Sequence, residues 1–330
     1  MTTTMIHTVG LTRHFTVKKE TVEAVRDLDL HVETGELVAL LGPNGAGKST
    51  TLRMLTTLIP PTSGTAEVAG LDVAQDPRGV RSRIGYIGQG NGAGHSQRGR
   101  DELYSQGRAY GMNRAAAKAR ANELVASLDL ENVADRVVSS LSGGQRRRLD
   151  IAMGLIHTPG LLFLDEPSTG LDPQNRANLQ DHIKKLRSEH GTTIVLTTHY
   201  LEEADQLAER VIVIDHGKVI ADNTPTRLKS EFAGDKITLT FDHAEDARHA
   251  LGRIGIDGAQ VTQNEAVVTV VADGGAALAP KLLRSLDEGG LPVASVEVAR
   301  PTLDDVFLNL TGRSLREDTT AATEEQEQKA

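Results

Sequence analysis

Apolar and polar positions along the 330-residue chain alternate in two different periods. Short apolar runs at residues 5–9 and 28–32 read as strands. The run 36–41 is apolar, flanked by glycines and suited to a buried parallel strand. A glycine-rich break at 42–47 leads into a helical pattern over 48–58, and residues 65–68 and Ile84–Ile87 read as further short strands. Between residues 98 and 130 the pattern becomes helical and alanine-rich without a strand, which predicts a helical insert. A helix over 145–157 is followed by the apolar strand Leu161–Asp165. Asp172 and Pro173 open a helix whose buried face is Leu179, Ile183 and Leu186, and Gly191 stops it. Strands at 193–197 and 211–215 enclose a helix at 202–209. Such alternation predicts an α/β unit with a largely parallel sheet.

After Leu228 the pattern changes. Strands at 237–241, 266–272 and 293–298 with helices at 244–254 and 277–288 predict a small α+β unit, closed by a helix at 303–310. From about Arg313 the chain is Thr/Glu-rich and acidic, the composition of a disordered tail. The expected division is therefore 1–228, 229–312 and 313–330, with the helical insert at about 90–157.

Composition removes several functions. No cysteine is present, which excludes disulfides, thiolate metal sites and thiol nucleophiles. Net charge is −9, and five Phe with four Tyr are the only aromatics, so no nucleic-acid partner is expected. No apolar run approaches the roughly 18–20 residues that cross a bilayer, and the first residues lack a signal-peptide pattern. A cytoplasmic protein is expected.

Gly42-Pro43-Asn44-Gly45-Ala46-Gly47-Lys48-Ser49, followed by Thr50, fits G-x-x-x-x-G-K-[ST] between a strand and a helix. Such a loop turns backbone N–H groups toward phosphate oxygens; Lys48 can reach the β- and γ-phosphates, and Ser49 offers a hydroxyl to Mg²⁺. Asp165 and Glu166 end an apolar strand. The first can hold Mg²⁺ through water and the second can polarise an attacking water. Ser142-Gly143-Gly144-Gln145 at a helix start forms a second anion-facing surface, suited to the nucleotide of another subunit. The run Arg146–Arg148 reads as a solvated helix face.

Over roughly residues 5–228 the chain resembles the ATP-binding subunits of ABC transporters. GPNGAGKST at 42–50 resembles Walker A, LSGGQ at 141–145 the signature, LLFLDE at 161–166 Walker B, and the stretch from Ser168 to Asp172 the D-loop. The resemblance implies a P-loop ABC ATPase core with an N-terminal antiparallel β part, a helical insert and a C-terminal α+β domain. It also implies ATP and Mg²⁺, with two subunits, two copies of the chain being expected, closing head to tail on two ATP molecules. In that arrangement Gln89 would contact Mg²⁺ and water and couple to a membrane permease. His199 would hold the γ-phosphate and water, Phe15 would stack on adenine, and Asp172 with 142–145 would face the partner's ATP.

Residues 142–152 and 300–312 resemble the daunorubicin-resistance type, which implies export of drugs, antibiotics or lipid-like compounds from the inner face of the cell membrane. The glycine-rich loop 90–96 departs from that pattern. An importer ATPase and a soluble ABC ATPase are the alternatives.

Overall fold

The computed structural model describes residues 4–17, 19–90, 92–255 and 259–314. The expected disordered tail lies outside the described residues, apart from Arg313 and Ser314. The described chain falls into two compact units that divide between Asn223 and Thr224.

In the first unit β1 (Thr4–Val17) and β2 (Glu20–Glu33) form a long antiparallel hairpin, with Ile6 opposite Val32 and Phe15 opposite Val22. The two short strands read from the sequence are its inner end. Its outer end is exposed and carries charged residues, and there the backbone ladder, rather than burial, keeps the strands paired. β3 (Leu37–Leu41) is buried throughout and leads into α1 (Lys48–Leu55). The helix stops three residues early because Thr57 takes a left-handed conformation, φ 61°. β4 (Ser63–Val68) and β5 (Leu71–Asp72) complete a four-stranded sheet in the order β2-β1-β4-β5.

Next come α2 (Pro77–Arg83), which Asp76 caps by accepting from Gly79 N, and β6 (Ile84–Ile87). The insert is two helices, α3 (Gly99–Ala109) and α4 (Arg114–Ser127), separated at the left-handed Gly111. α5 (Gly143–Leu155), β7 (Leu161–Asp165), α6 (Pro173–His190), β8 (Thr193–Thr198), α7 (Leu201–Leu207), β9 (Arg210–Asp215) and β10 (Lys218–Asn223) follow. The second sheet has the order β10-β9-β3-β8-β7-β6. Its five strands from β9 to β6 are parallel, and β10, not evident in the sequence, returns antiparallel through a turn at His216 and Gly217. Phe163, Val195, Ile212 and Leu40 bring the central strands into one core with the hairpin's Ile6 and Leu28. The C-terminal ends of β3, β7 and β8 therefore present adjacent loops, where ligands bind parallel sheets.

The second unit contains α8 (Pro225–Phe232), β11 (Asp235–Thr240), α9 (Ala244–Arg253), β12 (Gln260–Asn264), β13 (Val267–Ala272), α10 (Gly275–Glu288), β14 (Ser295–Ala299) and α11 (Leu303–Thr311). Its antiparallel sheet runs β12-β13-β11-β14. Ile237, Leu239, Val268 and Val270 pack against Ala247, Ala250, Leu282 and Leu286 of the helices. β12 has one apolar residue in five, too few for an alternation to show. Phe307 is fully buried, and Asn309 Nδ2 donates to Phe232 O at 2.7 Å, tying α11 to α8.

Candidate functional site

The loop between β3 and α1 is shaped by its glycines. Gly45 and Gly47 lie at φ 82° and 101°, where L-residues are disfavoured. A Cβ on Gly47 would come 2.4 Å from Ala24 O, and one on Gly42 would come 2.1 Å from Ile214 O. Among the described residues no side chain caps α1, so its first N–H groups remain available to an anion. Lys48 is 3% exposed, and its Nζ donates to Gly42 O at 2.6 Å and Pro43 O at 2.9 Å, which holds the ammonium inside the loop. Burial pushes its pKa down, against the pull of Glu166 and Asp165.

The end of β7 meets this loop. Asp165 Oδ1 accepts from Ser49 Oγ at 2.8 Å and from Thr197 Oγ1 at 2.7 Å, and Gln89 Nε2 donates to Ser49 Oγ at 3.2 Å. Among the described residues Asp165 Oδ2 is buried without a hydrogen-bond partner. One carboxylate, one hydroxyl and one amide are the hard oxygen donors that Mg²⁺ takes beside phosphate, and the orphan Oδ2 is an acceptor open to the ion or its water. The residues fit the metal.

Glu166 stands beside them in a left-handed conformation, φ 46°. That backbone costs an L-residue about 1–2 kcal/mol and persists only where neighbours impose it. Its N–H donates to Thr197 Oγ1 at 2.9 Å, and Thr169 Oγ1 donates to its Oε2 at 3.2 Å. His199 Nδ1 lies 3.5 Å from Oε2 and Lys48 Nζ 4.0 Å from Oε1. Burial opposes ionisation of this carboxyl, but His199, Lys48 and the Thr169 hydroxyl outweigh it and hold the pKa below the ordinary value. The result is a carboxyl group that stays ionised.

A cavity of about 350 Å³ collects the site: Phe15, Ala24, residues 44–50, Gln89 and Glu166 line it. Phe15 reaches it from the hairpin, with the Arg13 guanidinium 4.7 Å from its ring centre. Residues 142–145 are not among its lining. Instead Ser142 and Gln145 cap α5 reciprocally, and Ser142 and Gly143 face solvent. Asp172 caps α6 by accepting from Asn175 N at 2.9 Å and Nδ2 at 2.6 Å. Asn175 in turn packs on Gly144, where a Cβ would meet its Oδ1 at 2.4 Å. One chain thus carries two separate groups, the cavity and the exposed start of α5.

Two residues escaped the sequence reading. Thr197 bridges Asp165 and Glu166 through one buried hydroxyl, and a threonine in an apolar strand gives no sign of this. Arg147 corrects the reading of 146–148 as a solvated face: it is 8% exposed and donates to three backbone carbonyls, because it lies on the buried side of α5 with Gly144 and Ile151.

A glycine loop opening a helix, an apolar strand ending in paired acids, and a histidine beside the second acid define a P-loop ATPase. A family model described as ABC transporter matches residues 25–169, and one described as ATP-binding protein DrrA1-3-like, C-terminal domain, matches 224–311. The daunorubicin resistance ATP-binding protein DrrA3 of Streptomyces coeruleorubidus is 42% identical over 96% of this chain and 98% of its own. The daunorubicin/doxorubicin resistance ATP-binding protein DrrA of Streptomyces peucetius is 41% identical over 99% and 98%. Among solved structures, the dimeric post-hydrolysis state of the ATP-binding cassette MJ0796 bound to ADP and Pi matches with TM-score 0.62. It is 26% identical, over 67% of this chain and 98% of that one.

The chain belongs to the ATP-binding subunits of ABC transporters and is closely related to the DrrA-type daunorubicin and doxorubicin resistance proteins. It is an ATP-binding, ATP-hydrolysing transporter subunit. Among the described residues no helix is long and apolar enough to cross a membrane.

Proposed function

We propose that this chain powers the export of drugs, antibiotics or lipid-like compounds through a separate integral membrane permease, from the cytoplasmic face of the membrane. It works as a pair of identical copies with ATP and Mg²⁺ and takes no nucleic-acid partner. The observation that carries the hydrolytic part is the meeting of Ser49, Gln89 and Glu166 in the lining of the phosphate-loop cavity, with the buried Asp165 bonded to Ser49. Residues 42–50 cradle the phosphates, Lys48 leaves its carbonyl partners for the β- and γ-phosphates, and Phe15 stacks on the adenine. Ser49, Asp165 and Gln89 would hold Mg²⁺, which would supply charge neutralisation on the phosphate oxygens. Glu166 orients a water and accepts its proton at an Oε atom, while His199 steadies that carboxylate and the γ-phosphate.

The exposed Ser142, Gly143 and Asp172, with the half-buried Gln145 and the buried Gly144 beside them, face the ATP of the second copy. Support for pairing comes from their separation from the chain's own cavity and from the dimeric cassette of similar fold. Residues from Gln89 to Tyr104 form the permease-docking face, and the unit beginning near Thr224 serves pairing or stability. The test is ATP-driven efflux from vesicles that contain the protein with its permease. Efflux should require both proteins and vanish with Lys48→Ala. Efflux without the permease, or unchanged efflux in the variant, would overturn the reading.

A further inference from the structure

Arg147 spends each of its three guanidinium nitrogens on a different carbonyl. Nε donates to Pro167 O at 2.9 Å, Nη1 to Gly88 O at 2.7 Å and Nη2 to Asp165 O at 3.2 Å. Every one of these carbonyls adjoins a residue of the site. Gly88 precedes Gln89, and Asp165 and Pro167 flank Glu166 on either side. The left-handed Glu166 is thus gripped at both of its ends by one rigid fork. Burial lowers the pKa of this guanidinium, and Asp150, Asp165, Glu203 and Tyr86 oppose that loss, so the charge stays where it is needed.

The same helix holds the loop that follows. Asp150 Oδ1 accepts from Gly92 N at 3.1 Å and Ala93 N at 2.9 Å, and Arg146 Nη2 donates to Ala93 O at 3.1 Å. Two residues before Arg147 stands Gln145, which closes the reciprocal cap at the exposed start of α5. One helix therefore bears both the outward surface at 142–145 and the clasp behind Gln89, Asp165 and Glu166.

We propose that Arg147 is a positioning residue: it sets the magnesium-side and carboxylate groups by holding the backbone on which they stand, and so ties their alignment to the position of α5. This rests on the hydrolytic reading above. A side chain that only filled space would affect folding and nucleotide binding together. A positioning residue alters the metal dependence and turnover while the phosphate cradle, built from residues 42–50, is untouched.

The experiment uses the full chain, wild type, Arg147→Gln and Arg147→Lys. ATP binding is measured without metal and across a Mg²⁺ titration, with phosphate release and thermal melting alongside. For Arg147→Gln the expected result is a kcat and an apparent Mg²⁺ affinity lower by about tenfold or more, with metal-free ATP affinity within about twofold. Arg147→Lys keeps the charge but not the fork and should recover part of the loss. If Arg147→Gln does not fold, the lysine variant carries the test, with the same Mg²⁺ shift expected at smaller size. Turnover and Mg²⁺ dependence within twofold of wild type in a folded variant would overturn the proposal, as would parallel loss of metal-free binding. Wild-type protein that binds ATP but releases no phosphate would count against hydrolysis instead, and the Mg²⁺ titration would still decide the role of Arg147.

Discussion

Ser49 Oγ donates a 2.8 Å hydrogen bond to Asp165 Oδ1 across 116 residues of sequence. This contact joins the first turn of α1 to the end of β7. The parallel pairing of β7 with β8, and of β8 with β3, brings the two together.

Glu166→Gln should stop hydrolysis and spare ATP binding. The amide matches the carboxylate in size but cannot take a proton from water, so phosphate release should fall by about 10²-fold or more. Lys48→Ala should lose binding itself, because the buried ammonium is the charge inside the phosphate loop. Sedimentation with Mg²⁺ and ATP, read beside phosphate release, separates them. Only Glu166→Gln should accumulate as a nucleotide-bound dimer.

Thr197→Val keeps the shape of a buried side chain and removes the hydroxyl shared by Asp165 and Glu166. The Glu166 N–H then loses its acceptor, at a cost of about 1–3 kcal/mol. Melting should move down accordingly, and turnover should fall more than ATP affinity. Wild-type turnover in a folded variant would show that the bridge is dispensable.

Glu203 is 1% exposed on α7, and among the described residues neither carboxylate oxygen has a partner at full hydrogen-bond geometry. Burial raises its pKa, while the nearby Thr198 and Ser168 hydroxyls and the charges of Arg176 and His199 pull only partly the other way. A folded-state pKa above the unfolded one favours folding most below the ordinary glutamate range, and that contribution is lost as pH rises through the folded value. Glu203→Gln removes this loss. Its melting temperature relative to wild type should climb as pH rises above the ordinary glutamate range, and a constant difference would contradict the assignment.

Cutting the chain after Asn223 should leave ATP binding intact, since the cavity is lined wholly by residues before that point. Phe307→Ala, at a fully buried position between α11 and its neighbours, should cost the second unit about 3–5 kcal/mol. Nucleotide titration of the shortened chain and separate melting of the substituted one measure the two effects. Loss of ATP affinity on truncation would tie the second unit to the site.

The motifs were legible because they are local. Residues 42–50, the pair Asp165 and Glu166, and the cap at 142–145 each stand out as particular residue types at fixed spacing; in the loop, Gly42 and Gly47 leave no room for a Cβ. The apolar strand Leu161–Asp165 was equally plain, buried on every side and bounded by turns. What the chain order could not show was anything decided by pairing across distance. The outer hairpin, β10 and β12 are held by ladders to strands whose partners lie elsewhere, so their own composition carries little signal. Thr197 and Arg147 look unremarkable in sequence: one is a hydroxyl in an apolar strand, the other the middle of a basic run. They acquired their partners only when the sheet and α5 closed around them. Hydrogen bonds to backbone carbonyls and to a shared carboxylate depend on where those atoms arrive in the folded chain, and any residue type supplies the carbonyl.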